Sequence, residues 1–174
     1  MKKVIITGST GMVGKGVLLE CLESPKNEKV LVINRSSLNN DHPKLKEELL
    51  SDFQQIDTIK DKLQVYDACF HCMGVSSAGK SEEEYHKLTF DITKSIVDAC
   101  YAANVNMVLT YVSGAGTDST EKVNTMWARV KGKTENYILN KGFKDAYMFR
   151  AGAIIPERGI KLSLKPLYTM PYTS

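Results

Sequence analysis

No stretch of the 174 residues approaches the roughly 18 consecutive apolar positions that a membrane-spanning helix needs. The apolar run behind Lys2 and Lys3 stops at Thr7 and Gly8, too soon for a signal peptide. Charge of one sign is scarce too. A net charge of +3 without a basic run gives nucleic acid nothing to hold. Neither membrane nor nucleic acid is expected as a partner, and the cytoplasm is the default location. Metal ligands are equally thin. Of Cys21, Cys69, Cys72 and Cys100, only Cys69 and Cys72 are spaced as a ligand pair, and no second pair exists. Those two fall on a predicted strand, where an odd spacing sends them to opposite faces. No metal site or disulfide is expected. Repeats, low-complexity tracts and internal linkers are lacking, and the length fits one domain over residues 1–174.

What is present begins at the N-terminus, with MKKVIITGSTGMVG. Val4, Ile5 and Ile6 read as a buried strand. Gly8, Gly11 and Gly14 follow at once, and a helix is predicted over residues 12–24. A strand, a glycine-rich turn and a helix N-terminus together make a dinucleotide-binding arrangement. The glycines allow a tight turn and close approach of a pyrophosphate, whose charge sits at the positive end of the helix. The spacing is Gly-x2-Gly-x2-Gly, which differs from the more familiar Gly-x-Gly-x2-Gly.

Residues 29–35 form a second, almost continuously apolar strand, as expected of a parallel strand covered on both faces. Folds that take NAD usually place an acid at the end of this strand, about 20 residues past the glycines, to hold the ribose 2′-hydroxyl. Here that place holds Asn34-Arg35-Ser36-Ser37. An arginine with hydroxyl neighbours suits a 2′-phosphate, so NADP(H) is favoured over NAD(H). A third, poorly formed strand is expected over residues 46–53, leading to Asp52-Phe53. A short amphipathic helix follows over 54–66, then a fourth strand over 67–74. A long helix spans about 81–103, opened by a Ser81/Glu84 capping box. A fifth strand covers 106–116, a helix about 121–140, and a sixth strand about 146–150. Strands alternating with helices, without hairpin signals, imply an α/β fold: a Rossmann-type doubly wound parallel sheet, ordered 3-2-1-4-5-6. Residues 151–174 carry three prolines and little periodicity, and read as the truncated start of a substrate-side lobe.

The ordered set TGSTGMVG, Asn34-Arg35, Asp52-Phe53, Cys72-Met73-Gly74, VSGAG, VKGKTEN and FRAG resembles the atypical short-chain dehydrogenase/reductase superfamily. Within it, the chain is similar to the NAD(P)-binding epimerase/dehydratase-like, NmrA-like and Tat-interacting-protein-like branches. The resemblance runs from about residue 2 to 155. It implies that Gly8, Ser9, Thr10, Gly11, Met12, Val13 and Gly14 wrap the pyrophosphate and that Arg35 meets the 2′-phosphate. It further implies that Asp52 and Phe53 flank adenine, that Cys72, Met73 and Gly74 pass the adenosine ribose, and that Lys131 holds the nicotinamide ribose. The backbone near 151–154 would face the carboxamide.

Catalysis in that superfamily rests on a serine at the end of the fifth strand and on Tyr-x3-Lys in the next helix. Residues four apart share a helix face, so the lysine lowers the tyrosine's pKa. Ser113 and Lys131 occupy their places, but Trp127 stands four residues before Lys131. An indole N–H donates a hydrogen bond and does not titrate near neutrality. Trp127 is therefore read as an aromatic wall, and the acid–base is unassigned among Tyr111, Tyr85, His86 and Tyr137. His71 reads as a satisfied buried histidine. Two functions stay open. One is an oxidoreductase or nucleotide-sugar-epimerase/dehydratase-like enzyme with an unknown small-molecule substrate, and the other a non-catalytic NADP(H) sensor or scaffold. A homodimer through an exposed helix pair is compatible with either.

Overall fold

The computed structural model describes residues 1–160. β1 (Lys2–Thr7), β2 (Asn27–Asn34), β3 (Leu45–Leu49), β4 (Ala68–His71), β5 (Val108–Gly114) and β6 (Asp145–Ala151) form one sheet. All its pairings are parallel and its order is β3-β2-β1-β4-β5-β6, as the alternation of elements implies. β1 lies at the centre, with Ile6 aligned to Val32 of β2 on one side and Phe70 of β4 on the other.

Side chains alternate across a strand, so the apolar run of β1 feeds two cores. Val4 and Ile6, with Val30 and Val32, pack under α1 (Met12–Glu23) through Leu18, Cys21 and Leu22. Ile5, with Leu31, Ile33, Cys69, Leu109 and Tyr111, packs on the opposite face, against helices from three crossovers. These contribute Leu63 of α2 (Lys60–Leu63), Ile96, Val97 and Cys100 of α4 (Ile92–Ala103), and Ile138 of α5 (Met126–Leu139). Cys69 and Cys21 thus lie in different cores, and all four cysteines are free thiols.

Three expectations need correction. The helix expected over 54–66 is a 3-10 turn, Phe53–Ile59, running into the single α-turn of α2. Its buried residues Phe53, Ile56 and Ile59 recur every three positions, the repeat of a 3-10 helix, before Leu63 four further on. The third strand ends at Leu49, and Asp52 instead caps the 3-10 turn, accepting from Gln54 N at 2.9 Å. The helix expected from about 121 begins only at Met126. The Asp118 carboxylate collects the backbone N–H groups of Thr120, Lys122 and Val123 (2.8–3.1 Å), offering them an alternative to a helix, and Glu121 sits at φ +60°.

The long helix over 81–103 starts as foreseen, with Ser81 Oγ accepting from Glu84 N at 3.1 Å. α3 (Glu82–His86) runs through a π-turn, Lys87–Asp91, into α4. The π-turn is invisible to periodicity arguments. After β6, Arg158 bonds Glu20 Oε1 at 2.9 Å and also pairs with Glu23, tying the outgoing chain to α1. The expected substrate-side lobe lies mostly outside the described residues, from 161 onward.

The loop before α5 is pinned by a backbone approach. A Cβ on Gly132 would lie 1.7 Å from Asp118 O. Gly132→Ala is expected to cost about 3 kcal/mol, as overpacking against backbone does. Gly74→Ala, with nothing within 4 Å of its Cβ, should change stability by less than about 0.5 kcal/mol. Urea midpoints measure both, and an unchanged midpoint for Gly132→Ala would show that the loop moves freely off α5.

Candidate functional site

The glycine loop joins the C-terminal end of β1 to α1. Gly8 turns the chain with φ +76°, and its Hα side abuts the end of β4: a Cβ there would lie 2.8 Å from Met73 N. Gly14 lets α1 close on the loop, since a Cβ would lie 2.1 Å from Gly8 O. Gly11 differs from both. Its φ is −80°, and a Cβ would meet only Gly8 O, at 3.4 Å. The protein itself therefore leaves the face of Gly11 open at the helix N-terminus, where an anion is favoured. The fit to a dinucleotide rests on this open cradle.

Beside it lies a cleft of about 270 Å³ lined by Gly8, Thr10, Gly11, Arg35, Asp52, Phe53, Cys72, Met73 and Gly74, with Ser51, Val75, Leu88 and Ile92. Nine of the predicted nucleotide residues thus meet on one surface. Arg35 is exposed and, among the described residues, has no ion-pair partner. Glu47, an acid that linear reading did not bring here, reaches the same loop from β3. Its oxygens accept from Ser37 Oγ and Leu38 N, both at 2.9 Å. Leu88 and Ile92 were also missed, because the π-turn decides which residues face the cleft.

Other predicted residues are placed differently. Ser9 is fully buried and donates through Oγ to Asn34 Oδ1 at 2.9 Å, so its side chain braces the loop from below and does not face a ligand. Asn34 Nδ2, also buried, is left without a partner. Met12 and Val13 are half-buried and Gly14 buried, and none of the three lines the cleft. Cys72 is on the cleft wall, its thiol pushed up to about 12 chiefly by burial, so it is no nucleophile near neutrality.

Ser113 and Lys131 lie beyond the cleft, at the end of β5 and on α5. Thr117 Oγ1 donates to Gly114 O at 2.7 Å, so in the 3.0 Å contact between hydroxyls it is Ser113 that donates to Thr117. Ser113 thus presents lone pairs and no proton. Lys131 Nζ donates to Tyr111 OH at 3.4 Å and sits 5.1 Å over that ring. Burial lowers its pKa to about 8, partly opposed by Glu135. Trp127 lies over two glycines of the β5–α5 loop, its ring 3.7 Å and 3.4 Å from the Cβ positions of Gly114 and Gly116.

The acid–base alternatives fare poorly. Tyr111 is 1% exposed, stacks on His71, and its hydroxyl is pushed far up by burial. His71 is the satisfied buried histidine anticipated, between Thr7 Oγ1 (2.6 Å) and Thr93 Oγ1 (2.9 Å), and burial holds it down at about 3. Tyr85 is buried, Tyr137 donates to Asp98, and His86 contacts Asp91 and Lys133.

A glycine-cradled cleft across the C-terminal ends of a parallel 3-2-1-4-5-6 sheet defines a dinucleotide-binding domain of the short-chain dehydrogenase/reductase type. The chain belongs to the NAD-dependent epimerase/dehydratase family, whose model matches residues 4–150. It is 27% identical over 157 residues to "Protein FMP52, mitochondrial" of Candida albicans, covering 88% of this chain and 67% of that protein. It is 24% identical over 160 residues to HTATIP2 of Rattus norvegicus, covering 90% and 64%. Among solved structures, the NAD+ complex of WbmH from Bordetella bronchiseptica superposes with a TM-score of 0.70 at 23% identity, covering 87% of this chain and 56% of that one. A UDP-N-acetylglucosamine 4-epimerase from Methanobrevibacter ruminantium gives 0.62 at 18%, covering 86% and 54%. The chain therefore spans about two-thirds of these relatives and little over half of these structures. No helix among the described residues is long and apolar enough to cross a membrane.

Because the space beside Gly11 is limited only by Gly8 O, Gly11→Val is expected to fold, at a cost of about 1 kcal/mol for a poorer N-cap. Nucleotide binding should be abolished. Calorimetric titration beside a thermal melt checks this, and a folded variant with unchanged affinity would remove the loop from the phosphate site.

Proposed function

We propose that this protein binds NADP(H) in preference to NAD(H) and uses it in an oxidoreductase or epimerase-like reaction on a small molecule. The observation that carries the cofactor preference is Arg35, on the cleft wall without an ion-pair partner among the described residues. The two nearby acids are occupied: Glu47 by Ser37 and Leu38, and Asp52 in part by Gln54 N. A guanidinium so placed is free to meet a 2′-phosphate with two parallel hydrogen bonds. In this reading Gly8, Thr10 and Gly11 receive the pyrophosphate, Phe53 packs on adenine, Met73 and Gly74 pass the ribose, and Lys131 reaches the nicotinamide end. The bound dinucleotide would supply or accept hydride.

One set of observations favours the second reading, a non-catalytic NADP(H)-binding module. The indole of Trp127 occupies the helix position of the acid–base, and the Ser113 proton is spent on Thr117.

Titration with NADPH, NADP, NADH and NAD, followed by Trp127 fluorescence, tests the cofactor. The phosphorylated pair should bind more tightly, and Arg35→Asp should reverse the order by removing about 1.5–3 kcal/mol of charged hydrogen bonding. An unchanged order would take Arg35 out of the 2′-phosphate site. Trp127→Tyr separates the two functions. On a scaffold poised for chemistry it is expected to raise NADPH oxidation across a panel of small carbonyl compounds by about 100-fold, the usual scale of a placed acid–base. NADPH oxidation absent from both wild type and the variant would favour the sensor.

A further inference from the structure

The site described so far has a lysine with tryptophan, not tyrosine, four residues before it, and the surroundings of that lysine suggest what it is left to do. Lys131 is the first point. Its Nζ has no carboxylate within 4.0 Å among the described residues, and its one hydrogen bond, to Tyr111 OH, is long at 3.4 Å. Glu135, one turn further along α5, is turned away. It is 2% exposed and held by Arg150 of β6 through bonds of 2.6–3.1 Å, so it does not tie down the ammonium. The groups facing Lys131 from the other elements are Tyr111 of β5 and His71 of β4. Tyr111 is sealed in the core, and both His71 nitrogens are bonded to threonines. Tyr85 of α3, which lies against Tyr111, is buried as well.

Second, Ser113 cannot give a proton to a substrate oxygen while it donates to Thr117. A carbonyl oxygen arriving at the end of β5 therefore finds a hydroxyl that only accepts, an indole that does not titrate, and one ammonium.

We propose that Lys131 is itself the proton-exchanging group of this site, in place of the tyrosine that position 127 lacks. The proposal rests on the nucleotide-dependent reading above. When bound, a reduced nicotinamide dinucleotide supplies hydride to the carbonyl carbon of a small aldehyde or ketone. The carbonyl π pair moves to oxygen, and that oxygen takes a proton from Lys131 Nζ. One N–H bond breaks as the O–H bond forms, leaving an alcohol, an oxidised nicotinamide and a neutral amine that solvent reprotonates. In the reverse direction the neutral amine accepts the alcohol proton. The physical basis is desolvation: an amine brought down to about 8 supplies both protonation states close to neutrality, which an exposed lysine does not. Lys131 also lies four residues from Trp127 on one helix face, and the indole lies over Gly114 and Gly116 just past the end of β5.

The test has two arms on the full chain. In the first, acylation of Lys131 by an amine reagent is followed by mass spectrometry against pH, with and without NADPH. A half-point near pH 8 and protection by NADPH are expected; a half-point at or above pH 10 overturns the proposal. In the second, wild type and Lys131→Arg are compared for NADPH affinity and for turnover on the carbonyl panel. Arginine keeps the charge and the hydrogen-bond donors but does not release its proton. Turnover should fall by about 100-fold or more, the scale of general acid–base catalysis, with NADPH affinity changed far less. The wild-type rate should have a pH limb near 8 that the variant loses. Retention of turnover within threefold would assign Lys131 to ribose binding alone and overturn the proposal. If the variant folds poorly, the acylation arm on the unaltered chain decides. Turnover absent from NADPH-bound wild type also overturns it, while leaving the nucleotide site standing. Absence of NADPH binding instead removes the reading beneath it, whatever the amine's half-point.

Discussion

The rest of the structure depends on one contact between backbones: α1 closing onto the turn that leaves β1. At Gly14 a methyl group would lie 2.1 Å from Gly8 O, and at Gly8 it would strike the backbone of Cys72 and Met73. No side chain can be inserted at either point without moving β1, α1 or the end of β4. That contact aims the N-terminus of α1 along the open face of Gly11 and sets the floor of the cleft. It also fixes where the second strand ends, because buried Ser9, in the same turn, hydrogen-bonds Asn34 and so stations Arg35 at the rim.

A second close approach organises the other half of the molecule. Gly132 leaves room for the carbonyl of Asp118 to lie against the body of α5, while the Asp118 side chain gathers the loop around itself. The helix then starts at Met126, which puts Trp127 over Gly114 and Gly116 and Lys131 over Tyr111. The ion pair between buried Glu135 and exposed Arg150 holds the far side of α5 to β6. Loss of Arg150 would leave the buried Glu135 carboxylate without its partner, so the pair serves as a fixed strut for the helix that carries Lys131. Between the two halves, His71 occupies the interior as a neutral ring bridging Thr7 and Thr93. It links β1, β4 and α4 without adding a charge.

Burial accounts for the site's chemical character. Each candidate that withdrew from proton transfer did so because its polar atoms are already bonded or because water cannot reach it. Lys131 is the exception, since its ammonium is desolvated and the Glu135 carboxylate offsets this only in part. A charge in that condition is readily given up, whereas an exposed lysine of the same sequence would hold its proton to far higher pH.

The sequence alone determined the sheet and its order, because continuous apolar strands separated by amphipathic segments admit few other arrangements. It also determined the glycine turn, the position of Arg35, the Ser81 cap and the placing of Trp127 four residues before Lys131, since each is a matter of local spacing. What it did not determine depends on atoms distant in the chain. Whether Ser9 faces a ligand is decided by Asn34, 25 residues away. Which way the Ser113 proton points is decided by Thr117 and the Gly114 carbonyl together. The start of α5 is decided by a carboxylate competing for backbone donors, and the residues lining the cleft from the long helix by a π-turn. The character of Lys131 is set by desolvation under packed elements, and burial is a property of the assembled core that no local pattern of residues encodes.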